Sequence, residues 1–266
     1  MPITELPMTT SVIMPVLNAS RTLRAALESV RLNRLPGDEL IVVDDGSSDD
    51  SLEVVRASGQ ADLILSQPTR GPAAARNLAL AQARGQNIAF LDADDCWPAH
   101  TLEGLRQALQ RHPQAGVAQG LLITVVEEAV AARLQARALA QPAYGINLGC
   151  SLFRSHLFRE LGGFDESLRF DEDSDLWIRL WEAGVEKVLI PQVTLHYRLH
   201  EHNMTRHAQD NARALLPLLK RHRDRMRGRA ASHSQGLATY LGWVQPLEKD
   251  SNGPQANQNA NGIEGQ

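Results

Sequence analysis

Cysteine is scarce in this sequence, and that narrows the class of protein. Only two of the 266 residues are cysteines, Cys96 and Cys150, and they lie far apart along the chain. Two distant cysteines do not form the framework of a disulfide-rich secreted domain, and they fit the reducing cytoplasm. We therefore expect a cytoplasmic protein whose stability comes from a hydrophobic core.

Long apolar runs and an excess of basic charge are also missing. No stretch approaches the roughly 20 apolar residues that cross a bilayer. The first ten residues, MPITELPMTT, lack the basic and apolar regions of a signal peptide. The formal net charge is −4, which gives no overall attraction to nucleic acid. We expect no nucleic-acid partner, and we expect any membrane contact to be peripheral, at the cytoplasmic face.

The first half of the chain alternates between β-rich and helical segments. This alternation predicts an α/β fold with a Rossmann-like, mostly parallel central sheet flanked by helices. Ligands of such sheets bind beyond the carboxyl ends of the strands. Strands are predicted at residues 11–17, 39–45, 61–67 and 87–95, and the first helix at about 20–33 with Ser20 as its N-cap.

Acidic residues are crowded at the ends of two of these predicted strands. Asp44 and Asp45 end one strand, and Asp92, Asp94 and Asp95 end another. Crowded carboxylates repel one another and are costly to desolvate, so we expect them to face a ligand crevice rather than the core. Their oxygens are ligands that Mg²⁺ or Mn²⁺ prefers. A solvated acidic turn, or ordinary turn and helix-capping chemistry, remains an alternative for each group.

Five segments then occur in a characteristic order: SVIMPVLNA, IVVDDGSSDDS, GPAAARNLAL, FLDADDCWP and GGFDE followed by FDEDSDLWIRL. Together they resemble the family 2 glycosyltransferases, which have the GT-A fold, and the resemblance covers roughly residues 11–205. It implies an inverting enzyme that moves a sugar from a nucleoside-diphosphate donor, with a UDP-sugar favoured, to an acceptor hydroxyl. Saccharide or lipid-linked acceptors are implied, as in the synthesis of cell-surface polysaccharide or glycolipid.

The resemblance also assigns roles in donor binding. The first acidic pair is expected at the base and ribose, and the D-x-D at the ribose and a divalent metal, Mn²⁺ or Mg²⁺, held by Asp94 and Asp92. Leu17 stands where relatives often carry an aromatic residue that stacks on the base, so this stacking contact is lost here. The nucleotide-sugar contacts implied are Pro15, Leu17, Asn18, Asp44, Asp45, Arg76, Asp92, Asp94 and His200.

The later acidic motif carries the implied catalytic base. We favour Asp173 as the carboxylate that deprotonates the acceptor hydroxyl, with Glu172 second. A purely structural interpretation also holds, because acids favour a helix N-terminus. Asp175 fits that interpretation alone. The buried face of the same helix is predicted to consist of Leu176, Trp177, Leu180 and Trp181.

Two further segments have open interpretations. His200 lies in the segment LHYRLHEHN, where the resemblance suggests contact with the donor diphosphate or the metal. A surface loop with incidental histidines is the alternative, and a zinc site lacks completing ligands. The basic residues 220–229 fit either a solvated helix face or a contact with anionic lipid.

We expect a short N-terminal extension at residues 1–10 and a GT-A domain at residues 11–225, with a nucleotide-sugar half at 11–115 and an acceptor-side half at 116–225. The polar residues 226–266 are expected to be disordered. A haloacid-dehalogenase-type phosphatase and a receiver domain do not fit, because their acids occupy other strands or need a shorter sheet. A sugar nucleotidyltransferase and a non-catalytic nucleotide-sugar-binding module remain the alternatives.

Overall fold

The computed structural model describes residues 8–126, 141–168, 171–200, 218–228 and 236–242. Within these residues the core element is a seven-stranded sheet with helices on both faces. Its strands are β1 Thr10–Val16, β2 Glu39–Asp44, β3 Leu63–Ser66, β4 Asn87–Phe90, β5 Val117–Val126, β6 Ser151–Arg154 and β7 Lys187–Leu199. Its helices are α1 Leu23–Asn33, α2 Ser51–Ser58, α3 Pro72–Leu80, α4 Thr101–Arg111, α5 His156–Leu161, α6 Glu172–Glu182 and α7 Leu237–Tyr240. Residues 218–226 are also helical and are called the 218–226 helix below.

The strand order is β3-β2-β1-β4-β6-β5-β7. The first four strands are parallel, as the alternation of strands and helices predicts. Strand β6 runs antiparallel to both of its neighbours, and β5 and β7 pair in parallel. The sheet is therefore mostly parallel, with one reversed strand inside its second half. The prediction of an α/β fold with a mostly parallel central sheet is confirmed.

Alternating side chains of the buried strands supply two cores, one on each face of the sheet. In β1, Val12 and Met14 join the core beneath α1 and α4, whereas Ile13 joins the core beneath α3 and α6. This period of two is the pattern of a strand covered on both faces. The second core contains the predicted apolar face of α6, because Leu176, Trp177, Leu180 and Trp181 are all buried there.

The predicted N-cap of the first helix is wrong. Helix α1 begins at Leu23, with Thr22 in the N-cap position. The backbone N–H of Ser20 instead donates to Asp49 Oδ2 at 3.1 Å, and that of Ala19 donates to Ser51 Oγ at 2.8 Å. Because side chains that follow β2 bind the backbone of residues 19 and 20, the helix starts two residues later than its sequence pattern predicts.

Part of the segment expected to be a disordered tail is folded. Tyr240 and Leu241 are buried in the second core, and the Tyr240 ring lies 6.2 Å from that of Trp177. The ammonium of Lys187 lies 5.0 Å from the Trp177 ring and 4.7 Å from the Tyr240 ring, and it donates to the backbone oxygen of Tyr240. Aromatic burial and these cation–π contacts order residues 236–242. The remaining tail positions 229–235 and 243–266 lie outside the described residues, and the domain limits stay a prediction.

Candidate active site

The acidic strand ends lie on one rim of the sheet. Strand β1 pairs with β2 on one side and with β4 on the other, all in parallel. The residues that follow these three strands therefore emerge at the same edge. This places the first acidic pair, the D-x-D and the loop after β1 side by side.

The loop after β1 is fixed by the loop after β2. Asn18 has a φ of 49° and accepts a hydrogen bond at its Oδ1 from the Ser48 N–H at 2.8 Å. Its own N–H donates to Ser47 Oγ at 3.0 Å. Leu17 is held at the rim with 45% of its surface exposed. Pro15 lies within β1, opposite Val43 of β2, so it supports the loop from inside the sheet.

The two acids after β2 have different surroundings. Asp45 is 3% exposed, and its carboxylate accepts from Gln67 Nε2 at 2.7 Å, from Arg70 N–H at 2.9 Å and from Gly71 N–H at 2.8 Å. These bonds fasten the turn that precedes α3. Among the described residues Asp44 accepts one longer side-chain bond, from Ser47 N–H at 3.2 Å. Asp44 therefore keeps more accepting capacity for a ligand than Asp45 does.

Arg76 joins the D-x-D to the later acidic motif. Its guanidinium donates from Nη2 to Asp92 Oδ1 at 2.8 Å, and from Nη1 to Glu172 Oε1 at 2.7 Å and Asp173 Oδ1 at 3.1 Å. The side chain is only 3% exposed. These four residues are called the Arg76 cluster below. The structure thus brings the expected donor-side acid and both candidate bases to one cation, which is buried rather than lying free along the rim.

Negative charge is in excess within the Arg76 cluster, because one guanidinium faces three carboxylates. Burial raises the pKa of Asp173 to about 7; Arg76 opposes the shift, and Glu172 and Asp92 add to it. Burial disfavours the charge of Arg76, but its three carboxylate partners raise the pKa of this guanidinium further. A carboxylate with a pKa near neutrality is suited to accept a proton during catalysis. The Asp173 side chain is 26% exposed, so a ligand can reach it.

The end of β7 closes over the D-x-D turn. The Arg198 N–H donates to Asp95 Oδ1 at 2.8 Å, and Cys96 and His196 form a pair of backbone hydrogen bonds. These bonds carry His200 to the turn, where its Nε2 lies 2.9 Å from Asp94 Oδ2. His200 and Asp94, predicted to serve the same ligand, are therefore neighbours. The histidine is 14% exposed in its side chain, which does not fit an incidental surface residue.

The carboxylates of this turn are incompletely neutralised. Burial and the neighbouring Asp92 raise the pKa of Asp94, and the His200 contact opposes that shift. Burial, with Asp94 and Asp92 nearby, holds the pKa of Asp95 well above its usual range. Within the described part of the chain, no group of three or more His, Cys, Asp or Glu side chains is arranged to hold a metal ion. Within this turn Asp94 and Asp92 are 30% and 40% exposed in their side chains, so both offer carboxylate oxygen to a ligand.

Sequence reasoning assigned no role to the loop that supports Arg76. The Phe164 ring lies 5.5 Å from the guanidinium, and Asn77 fixes the phenylalanine by exchanging two hydrogen bonds with its backbone, at 2.8 and 2.9 Å. Gly163 has a φ of 71°, and a Cβ there would lie 2.6 Å from Asn77 Oδ1. The signal was present in the GGFDE segment, because a second consecutive glycine often marks backbone that other residues cannot adopt.

Comparison with known proteins then identifies the family. The family model described as "Glycosyl transferase family 2" matches residues 11–162, which is more than half of the chain. The chain belongs to glycosyltransferase family 2. The predicted family is confirmed and, with it, the class of enzyme, a glycosyltransferase.

Matches to individual relatives can be shorter than the match to the family model. One is the UDP-Glc:alpha-D-GlcNAc-diphosphoundecaprenol beta-1,3-glucosyltransferase WfgD of Escherichia coli, 43% identical over 95 residues, or 35% of this chain. The match spans only 38% of that relative's length. No helix in the described ranges has both the length and the apolar character needed to cross a membrane.

Two solved structures share the fold. S. aureus TarS 1-349 in complex with UDP-GlcNAc has a TM-score of 0.65 and 21% identity, covering 79% of this chain and 65% of that one. The mannosyltransferase PcManGT from Pyrobaculum calidifontis, in complex with GDP-Man and Mn²⁺, has a TM-score of 0.60 and 23% identity, covering 85% and 66%. The predicted GT-A fold is confirmed.

Proposed function

We propose that this protein is an inverting glycosyltransferase that moves a sugar from a nucleoside diphosphate, with UDP favoured, to an acceptor hydroxyl. The observation that carries the proposal is the Arg76 cluster, in which an acid of the D-x-D and two carboxylates of α6 converge on one guanidinium. Sugar transfer needs a leaving diphosphate and an attacking hydroxyl at one anomeric carbon. The cluster supports this because Asp92 follows β4 at the edge where the donor is proposed to bind, whereas Asp173 lies in the first turn of α6, across the site from that edge.

Asp173 is the proposed base. The acceptor oxygen attacks the anomeric carbon as its proton passes to the Asp173 carboxylate, and the bond to the diphosphate breaks with its electron pair on the leaving group. One displacement from the opposite face inverts the anomeric centre. A pKa of about 7 favours this role, because the carboxylate is largely ionised at slightly alkaline pH yet basic enough to accept a proton. Glu172, at 2.7 Å from Arg76, is 10% exposed and is the second choice.

Donor binding is assigned to the rim. Asp44 is proposed at the base or ribose, since it keeps accepting capacity, and Leu17 and Asn18 border the same crevice. Asp45 is assigned an indirect part, because its oxygens already hold the turn before α3. His200 is proposed to meet the donor diphosphate beside Asp94.

A divalent cation, Mn²⁺ or Mg²⁺, fits the residues present. Burial first, and the neighbouring Asp92 second, raise the pKa of Asp94, so a nearby positive charge would favour its ionised form. Proteins often bind such a metal through only one or two carboxylate ligands, because phosphate oxygens and water complete its coordination. Asp94 and Asp92 would hold it. When bound, it would supply positive charge against the developing charge of the leaving diphosphate.

The acceptor is proposed to be a saccharide or a lipid-linked saccharide, used at the cytoplasmic face of a membrane in polysaccharide or glycolipid synthesis. WfgD, whose name specifies a diphosphoundecaprenol-linked acceptor, supports this. The exposed Lys220 and Arg227 offer a contact for anionic lipid. Flotation with anionic liposomes tests the contact: replacing Lys220 and Arg227 by Glu should abolish it, and unchanged flotation would contradict it.

The decisive experiment combines donor binding with turnover. A thermal-shift screen of UDP- and GDP-sugars with Mn²⁺, Mg²⁺ or EDTA should give a metal-dependent rise confined to one nucleotide. Asp173→Asn should bind that donor with an unchanged Kd and lose transfer, whereas Asp224→Asn, at an exposed acid of the 218–226 helix, should still transfer. If no nucleotide sugar shifts the protein with either metal, the proposal fails. Donor binding without any turnover by the natural protein would favour a non-catalytic binding module.

A further inference from the structure

The 218–226 helix has two different faces. One face is exposed to solvent, and the other packs against α6 and the loop before it. Both interpretations of the basic segment 220–229 require its basic side chains to point to solvent or lipid. The structure shows that only some of them do. The exposed basic side chains are Lys220, Arg223 and Arg227, and the half-buried ones are Arg221, His222 and Arg225.

Arg225 contacts α6 in its first turn and at its last residue. Its Nη1 donates to Asp175 Oδ1 at 3.2 Å, and its Nε donates to Glu182 Oε2 at 2.7 Å. Asp175 is 2% exposed and follows Asp173 by two residues. A single guanidinium therefore bridges the turn that carries the proposed base to the far end of the same helix.

Asp175 extends this connection to the rest of the site. Its Oδ2 accepts from Arg179 Nε at 2.7 Å, and the other two nitrogens of Arg179 donate to the backbone oxygens of Leu161 at 2.8 Å and Gly163 at 2.7 Å. Gly163 directly precedes Phe164, which packs against Arg76. A chain of buried polar contacts thus links Arg225 to the loop beneath the Arg76 cluster.

The first turn of α6 needs such support. Asp171, the residue before the helix, has a φ of 64°, which is an unfavourable conformation for a residue with a side chain. The turn also carries three acids, Glu172, Asp173 and Asp175. Only the first two contact Arg76, so the third depends on Arg179 and Arg225 for its positive partners within the described residues.

We propose that Arg225 is a positioning residue, which holds the first turn of α6 so that Asp173 meets the acceptor hydroxyl in a productive geometry. This inference rests on the proposed function. It adds that a helix beyond the segment matched by the family model completes the active site. Displacements of about 1 Å at a reacting group can reduce turnover by about 100-fold, so a loosened turn has a measurable effect.

Arg225→Met is a suitable test because it leaves each acid with another partner. Asp175 keeps Arg179, and Glu182 keeps His222, whose Nδ1 lies 2.7 Å away. The variant is therefore expected to fold. Arg225→Lys keeps the charge but not the forked geometry. Arg223→Met is the matched control, since Arg223 lies on the same helix, is 67% exposed and bonds the exposed Asp224.

Turnover is measured as UDP released from UDP-glucose or UDP-N-acetylglucosamine, whichever the natural protein consumes. For Arg225→Met we expect kcat to fall at least 10-fold, with the donor Kd within twofold. Arg225→Lys should recover part of that loss, and Arg223→Met should retain full turnover. If Arg225→Met keeps kcat within twofold while Asp173→Asn is inactive, the positioning role is wrong and the proposed function stands.

Hydrogen exchange of the full chain supplies a readout that needs no turnover. Amides of residues 172–178 should exchange at least fivefold faster in Arg225→Met than in the natural protein or in Arg223→Met. Should the natural protein consume neither sugar nucleotide, the proposed donors fail, and this comparison alone decides whether Arg225 holds the turn. Equal exchange rates in all three proteins would overturn the inference.

Discussion

Replacing Arg76 by methionine tests the electrostatic account of the site. Methionine keeps an unbranched apolar chain in the position, so the packing loss is small. The guanidinium, only 3% exposed, is removed from Glu172 and Asp173, whose side chains are 10% and 26% exposed. Asp92 is 40% exposed and can rehydrate. Removing one partner of a buried ion pair costs about 3–5 kcal/mol, and we expect that loss in the free energy of unfolding at pH 8.

The stability lost in Arg76→Met should be larger at high pH than at low pH, because the folded variant and the natural protein bind protons differently. Burial raises the pKa of Asp173 to about 7 against the opposing effect of Arg76, so removing Arg76 raises that pKa further. The natural protein starts to lose this proton at roughly pH 6, whereas the variant keeps it up to its higher pKa. Over that range the folded variant binds more protons, and its stability falls more steeply as the pH rises. We expect the difference at pH 5.5 to be about half of the difference at pH 8.

Urea unfolding followed by tryptophan fluorescence at both pH values measures this. The slopes of the transitions must match, so that the midpoints compare stability alone. Arg31→Met is the control, because Arg31 pairs with Glu28 on an exposed surface and its loss should leave the midpoint unchanged. An equal loss for Arg76→Met at pH 5.5 and pH 8 would refute the electrostatic account and leave packing as the cause.

Four further predictions concern the site and the residues that support it. Asp173→Asn should raise the melting temperature relative to the natural protein more at pH 8 than at pH 5. The raised pKa of Asp173 costs the natural protein stability progressively from roughly pH 4, the unfolded pKa, up to about pH 7, and asparagine removes this cost; an equal difference at both pH values in calorimetry contradicts this. In the natural protein kcat/KM should rise with pH up to about pH 7 and then level, and a flat profile excludes Asp173 as the base. Gly163→Ala should destabilise the fold by about 1–3 kcal/mol, because of its φ of 71° and the close Asn77 oxygen. Urea midpoints test this against Gly162→Ala, which shares a positive φ of 81° but whose Cβ would meet nothing within 4 Å, so the larger loss should be that of Gly163→Ala. Leu17→Tyr should tighten UDP binding severalfold through stacking on the base, since Leu17 is exposed at the rim, and calorimetric titration showing weaker binding would place the base elsewhere.

Local patterns in the sequence predicted most of what positions the site. The apolar runs and the turn residues identified β1 and β2 to within one residue at each end, and they identified the start of β4, which ends at Phe90 and not at the predicted residue 95. The parallel arrangement of these strands then requires that Asp44 and Asp92 share an edge. For Asp94 and His200, the resemblance supplied a common ligand, and the structure adds the β7 pairing that makes them neighbours.

The partners of Arg76 could not be read from the sequence. Arg76 and Glu172 are 96 residues apart, and no periodic pattern links α3 to α6. Only the packing of both helices on the same face of the sheet brings them together. Tyr240 was missed for a different reason, because one aromatic residue near a long polar stretch barely changes the composition that predicted disorder.

The position of Lys187 between Trp177 and Tyr240 limits how far the protein can be shortened without loss of stability. A version ending at residue 225 would lose one of the two rings that enclose the Lys187 ammonium and would open the second core to water beside Trp177. Burial lowers the pKa of Lys187 to about 8, so this ammonium begins to lose its proton just above neutral pH. Shortened versions should therefore end no earlier than Gly242, even though the intervening sequence looks like dispensable linker.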